Sequence, residues 1–231
     1  MKRVLTPELI DLLPADDPRA ARSRRDILRL NRINYSDALM TRLLRRVAGN
    51  QSPRTITDLG SGDGLFMLHV ARRLARNWRA VNVRIVDSQP AVASETLAAF
   101  KQLDWHVEVV KADVSTATDW SRNGERHFYI ANLFLHHFND EQLREMFQRV
   151  AEHASSFVAI DPTRGRTQHF VSRCLWLFGC GPVTRHDGPA SFRAGFRDQE
   201  LSALWPSNGT WNLDEGSFGP FSHTFVAQRL R

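Results

Sequence analysis

Thr55-Ile56-Thr57-Asp58-Leu59-Gly60-Ser61-Gly62-Asp63-Gly64 is the stretch from which the rest of the chain is read. A β-rich run, Ile56 to Leu59, enters three glycines at alternate positions. From Leu65 to Arg76 the apolar residues Leu65, Leu68, Ala71, Leu74 and Ala75 then recur at helical spacing. The order is strand, tight turn, helix. Glycine has no Cβ, so the backbone turns sharply and lies flat against a ligand, while the helix start leaves free N–H groups. That geometry suits a nucleotide-like ligand. A dinucleotide fingerprint needs a third glycine where this chain has Leu65, and a P-loop needs a lysine that this turn lacks.

Outward from the turn, strand and helix alternate, which predicts an α/β fold with a parallel sheet and helices on both faces. Val81 to Asp87 reads as a second strand and Ala91 to Lys101 as a helix. His106 to Lys111 is a third strand and His127 to Ala131 a fourth. A helix from Glu141 to His153 follows, capped by Asp140, and Ser156 to Ile160 is a fifth strand. Asp58, Asp87, Asp113, Asn132 and Asp161 all fall at strand ends, where open parallel sheets bind their ligands. Beyond Pro162 comes an apolar, aromatic segment, Gln168 to Gly179, then a Gly-Pro-flanked loop, Gly181 to Gly188. A helix, Asp198 to Leu204, and two strands, Gly209 to Leu213 and His223 to Gln228, close the sheet as an antiparallel hairpin.

Residues 1–50 read as a helical cap. A short helix is stopped by Pro14, a second opens at Pro18 behind Asp16-Asp17, and a third runs from Ser36 to Ala48 before Gly49-Asn50. Residues 51–231 form the core, with a covering insertion at about 163–197.

At 231 residues and 42% hydrophobic composition the chain accommodates one substantial α/β core plus an appendage. Its apolar runs are far short of the ~18 residues of a membrane span. The N-terminus has no apolar signal region, so a cytoplasmic location is expected. Cys174 and Cys180 are read as free thiols, two cysteines being too few for a metal cluster. The net charge of +6 comes largely from arginines scattered among apolar positions, so nucleic acid is not the expected partner.

Asp-Leu-Gly-Ser-Gly-Asp-Gly at 58–64, with the ordered acids that follow, resembles the class I S-adenosylmethionine (SAM) dependent methyltransferases from about Arg54 to Ala227, nearest to bacterial small-molecule enzymes of the ubiquinone/menaquinone type. The resemblance implies a Rossmann-like seven-stranded sheet whose seventh strand runs antiparallel between the fifth and sixth. It also implies SAM as cofactor. Asp58, Gly60, Ser61 and Gly62 would hold the methionyl part, and Asp87 and Ser88 the ribose. Asp113 and Val114 would hold adenine, and Asn132 would lie near the methionine. Arg32 or Asn34 would reach the SAM carboxylate.

Leu135-His136-His137-Phe138-Asn139-Asp140-Glu141 resembles a stretch of plant phenolic O-methyltransferases, which makes His136 the general base for a hydroxyl acceptor. The residues alone leave open whether the two histidines are simply packed beneath the sheet edge. His137, Arg185, His186 and Trp176 are the expected substrate contacts, within an aromatic wall of Tyr35, Phe170, Trp176, Phe178 and Phe192. The same apolar surface would serve as a homodimer face. The expected activity is methylation of a small aromatic or polyketide-like metabolite, at oxygen. Rival readings are an RNA or protein methyltransferase, and an inactive SAM-binding partner subunit. Against the first, no Asn/Asp-Pro-Pro-Tyr/Phe motif stands at Asn132-Leu133-Phe134-Leu135.

Overall fold

Alternation of apolar side chains along each central strand produces two buried layers, one on either face of a single sheet. In β4 (His127–Asn132), Phe128 and Ile130 join one core while Tyr129 and Ala131 join the other. β5 (Ser156–Pro162) divides Val158 and Ile160 from Phe157 and Ala159 in the same way. Both faces are covered, as a parallel sheet requires. The computed structural model describes residues 1–114, 126–206 and 209–230.

The remaining strands are β1 (Thr55–Leu59), β2 (Asn82–Asp87), β3 (His106–Lys111), β6 (Trp211–Phe218) and β7 (Ser222–Arg229). Their spatial order is β3-β2-β1-β4-β5-β7-β6. β1 to β5 are mutually parallel, and β7 pairs antiparallel with both β5 and β6. The expected place of the last strand is borne out.

The helices are α1 (Leu9–Leu12), α2 (Pro18–Ile33), α3 (Ser36–Ala48), α4 (Leu65–Leu74), α5 (Ser94–Gln102), α6 (Asp140–His153), α7 (Arg166–Ser172) and α8 (Pro182–Ala194). α3 buries Leu39, Met40, Leu43 and Leu44 in the same core as Ile56 of β1 and Met67 of α4. On the opposite face, Phe147 of α6 meets Phe157, Trp205 and Phe225 at ring centroid separations of 5.6, 5.1 and 5.7 Å.

Three local expectations are corrected. The cap of α6 is Asn139 rather than Asp140. Its carboxamide accepts from Gln142 N at 2.9 Å and the Gln142 side chain accepts from Asn139 N at 2.9 Å, a closed capping box. The stretch from Gly181 to Gly188 is not a loop but most of α8. Pro182 sits at the first turn, where its missing N–H costs nothing, and Gly188 leaves room for Leu175, whose Cδ1 would lie 2.4 Å from an added Cβ. The helix expected over Asp198 to Leu204 is a run of turns, because Leu201 N and Ser202 N donate to the Glu215 carboxylate at 2.9 and 2.7 Å.

The chain's first residues cross over the carboxyl ends of the strands and are tied there. Arg3 donates to Asp140 at 2.9 Å and to the carbonyls of Phe138 and Ala194 at 2.7 and 2.8 Å. Leu9 N and Ile10 N, at the start of α1, donate to the Asp187 carboxylate of α8 at 2.8 and 3.1 Å. α2 grips α8 from the other side, where Asp26 accepts from Gly181 N at 2.6 Å. No helix among the described residues is long and apolar enough to cross a membrane.

Candidate active site

β1 and β4 are neighbours whose chains leave the sheet in opposite directions, and a crevice opens at their carboxyl ends. It leads into a cavity of about 450 Å³. One wall is the glycine turn. Gly60, Gly62 and Gly64 all have positive φ, at 71°, 58° and 71°. Gly60 is further constrained by contact, since a Cβ there would lie 2.0 Å from the Phe134 ring, itself a cavity residue. The second carboxylate stiffens the turn: Asp87 accepts from Gly62 N and from Gln89 N, both at 2.8 Å.

The cofactor residues expected along the strand ends all border this cavity. Asp58, Gly60, Ser61 and Gly62 do so from the turn, Asp87 and Ser88 from the end of β2, Asp113 and Val114 from beyond β3, and Asn132 from the end of β4. Asn34 borders it as well; Arg32 does not. Asp58 is fully buried, and burial, only partly offset by the Ser61 hydroxyl at 2.5 Å, pushes its carboxyl up to about 7. Among the described residues the buried Asn132 Oδ1 has no hydrogen-bond partner. A carboxylate lacking a cation and a carbonyl lacking a donor are what an ammonium-bearing ligand would complete.

The opposite wall is built on the turn of 3₁₀ helix Leu135–His137. Leu133, at φ 53°, bends the chain out of β4, and the Asp161 carboxylate accepts from Leu135 N and His136 N at 3.3 and 3.2 Å. That anchors His136 in one orientation. Its Nδ1 lies 2.6 Å from Asp161 and its Nε2 3.3 Å from Glu8, and the ring is buried. Burial opposes a charged ring, but the hydrogen bonds and charges of the two carboxylates outweigh it and push His136 up to about 10. Burial equally works against charged Glu8, yet His136 and the Ser191 hydroxyl at 2.5 Å hold it down at about 2. Both nitrogens of His136 are therefore engaged by carboxylates in the resting site. His137 stacks beside it, ring centroids 4.3 Å apart, with Nδ1 3.2 Å from Asp11.

His137 borders the cavity as expected, but Arg185, His186 and Trp176 do not. α8 turns Thr184, Asp187, Gly188 and Ser191 inward, and Arg185 and His186 fall on its exposed face. Trp176 stands 59% exposed, and Tyr35, Phe170 and Phe178 are also exposed; of the anticipated aromatic wall only Phe192 is present, joined by Phe66, Phe134, Phe138 and Phe221. Glu8, Asp187 and Ser191 were not singled out from the sequence. Nothing local marks them, since each reaches its partners across at least 128 residues of chain or lies on a helix that resembles a loop.

The strand order, with a glycine turn after β1 and carboxylates at the ends of β2 and β3, is that of the class I SAM-dependent methyltransferases, and residues 56–156 match the family model for a methyltransferase domain. That match spans less than half of the chain. No curated protein matches it in sequence. Among solved structures it is similar to the plantazolicin methyltransferase BpumL in complex with SAH, at 12% identity, with 94% of this chain and 92% of that one covered and a TM-score of 0.64. It is also similar to an O-methyltransferase family protein from Burkholderia thailandensis, at 15% identity, 94% and 63% coverage and TM-score 0.58. A third is human N-acetylserotonin methyltransferase in complex with SAM, at 13% identity, 96% and 61% coverage and TM-score 0.51. The chain thus spans under two thirds of the latter two, and at these identities the shared property is the fold.

Proposed function

We propose that this chain transfers a methyl group from SAM to a small-molecule acceptor, with oxygen of an aromatic or polyketide-like metabolite as the atom methylated. The observation that carries the reading is one cavity with two chemically different walls. The glycine turn, Asp58, Asp87, Asp113 and Asn132 line one; Glu8, His136 and His137 line the other, with phenylalanines between them. SAM supplies a methyl group on a sulfonium, already activated for displacement. The protein's part is to hold an acceptor in line at close range and to manage its proton.

On this reading Asp87 receives the ribose hydroxyls and Asp58 faces the methionine ammonium, whose charge offsets the burial of that carboxyl. The acceptor enters against the Phe134, Phe138, Phe192 and Phe221 rings and presents its hydroxyl to the His136 corner. Support for a small acceptor comes from the cavity's size, which lies within the range of small-molecule sites, and from the small-molecule products of the similar methyltransferases. The test is to incubate the protein with SAM and a panel of phenols and polyketide-derived hydroxy compounds, following the demethylated product SAH and the mass of the acceptor. An acceptor heavier by one methylene unit, with SAH in equal amount, supports the reading. SAH binding with no turnover across amine, thiol and hydroxyl acceptors favours the partner-subunit alternative.

A further inference from the structure

The acceptor wall holds a group of side chains that proton chemistry alone does not account for. One ligand atom each from Glu8, His136 and His137 lie within 4.8 Å of one another. We propose that these three residues bind one divalent transition-metal ion, with two imidazole nitrogens and a carboxylate oxygen as its protein ligands.

The geometry favours an ion over a simple hydrogen-bonded cluster. Within the same imidazole, Nδ1 meets Asp161 at 2.6 Å, a short charge-assisted bond, while Nε2 stands 3.3 Å from Glu8. Two ligands at about 2.0–2.1 Å from a tetrahedral ion are themselves about 3.3 Å apart, so the second spacing suits co-ligands better than a buried ion pair. The outer contacts agree. Asp161 holds Nδ1 of His136, and Asp11 lies 3.2 Å from Nδ1 of His137. Each ring therefore has a carboxylate on its Nδ1, the kind of outer contact that fixes tautomer and orientation in histidine metal sites.

Charge points the same way. Three carboxylates, Glu8, Asp11 and Asp161, surround two imidazoles. Arg3, which feels the charge of Asp161, is engaged by Asp140 and by two carbonyls. Imidazole and carboxylate donors together suit zinc, iron, cobalt or manganese. Binding does not depend on the function proposed above, but its catalytic use does. An acceptor hydroxyl bound to the ion would lose its proton to solvent, and the resulting oxygen would take the methyl group as the sulfur–carbon bond breaks, leaving SAH. His136 then serves as a ligand instead of a base.

The experiment uses tag-free full-length protein, freed of metal with chelator and titrated with Co²⁺ by visible absorption and with Zn²⁺ by calorimetry. SAH binding is measured on the same samples. One equivalent of Co²⁺ should produce ligand-field bands. Glu8→Gln and His137→Ala should weaken binding by about 100-fold or more, and Asp11→Asn by about 10-fold. His106→Ala, an exposed site on β3, should bind as the wild type does. Absence of stoichiometric Co²⁺ or Zn²⁺ binding overturns the proposal, as does binding that survives both Glu8→Gln and His137→Ala in variants that still bind SAH. If SAH binds and neither metal does, the ion site alone is lost. If the metals bind and SAH does not, the methyltransferase reading is lost and the ion site stands.

Discussion

Asp58 and Glu8 are both buried carboxyl groups on one cavity, and their environments move them in opposite directions. Asp58 is pushed up to about 7 because burial is its largest influence and no cation answers it. Glu8 experiences the same penalty, but the His136 imidazolium and Ser191 hydroxyl hold it at about 2. Among the described residues the Asp58 wall thus holds no counter-charge, whereas the Glu8 wall carries its own. On the proposed function, the first half takes its counter-charge from a cationic cofactor and the second receives the acceptor.

The largest test of that contrast is Asp87→Ala. Loss of a carboxylate that orders the Gly62 turn, and on the proposed function receives the ribose, should weaken SAH binding by about 100-fold, roughly 3 kcal/mol, by calorimetry. His136→Ala should leave SAH affinity within a few-fold while turnover falls by at least about 100-fold. Equal damage to binding in the two variants would erase the distinction between the walls.

Glu8→Gln sharpens the comparison through pH. His136 is raised from 6.5 to about 10, so its contribution to stability is full below 6.5 and is lost as pH rises toward 10. Glu8 is lowered from 4.5 to about 2, so its contribution is full above 4.5 and is lost as pH falls toward 2. Together they predict greatest benefit between about 4.5 and 6.5. Glu8→Gln should lower stability there by about 3 kcal/mol and flatten the alkaline decline seen in thermal melts. Asp58 has the opposite sign: raised from 3.8 to about 7, it makes the folded state lose stability as pH rises through that window, and Asp58→Asn should remove the loss.

A smaller effect is expected where the walls touch. Gly60→Ala places a Cβ against the Phe134 ring and adds left-handed strain, which should cost about 2 kcal/mol; Phe134→Leu should restore part of it in a double-mutant cycle. Smallest of all is Trp176→Ala. That residue stands on the outside of the fold, so stability and SAH affinity should change by no more than about 0.5 kcal/mol.

The same contrast explains what could be read in advance. The cofactor wall is assembled from strand ends and the residues just after them, so Gly60, Asp87, Asp113 and Asn132 announce themselves by position along an alternating pattern. The alternation of strands and helices along the chain was legible for the same reason, since period-2 burial is a local property, while the place of the last strand in the sheet came only from the family resemblance. The acceptor wall is assembled by distance. Glu8 reaches His136 across 128 residues and Ser191 across 183, and no local pattern encodes either contact. Arg185 and His186 were misplaced because Gly181-Pro182 and Gly188-Pro189 read as loop punctuation, while in the fold the first proline starts a helix and the second glycine makes room for Leu175.

Calorimetric titration of the purified protein with SAH tests the central claim most directly. A single site per chain, weakened about 100-fold in Asp87→Ala and retained in His136→Ala, is the predicted result. Failure of the wild-type protein to bind SAH, or binding that Asp87→Ala leaves intact, would contradict the account of the glycine turn and its carboxylates as the cofactor wall.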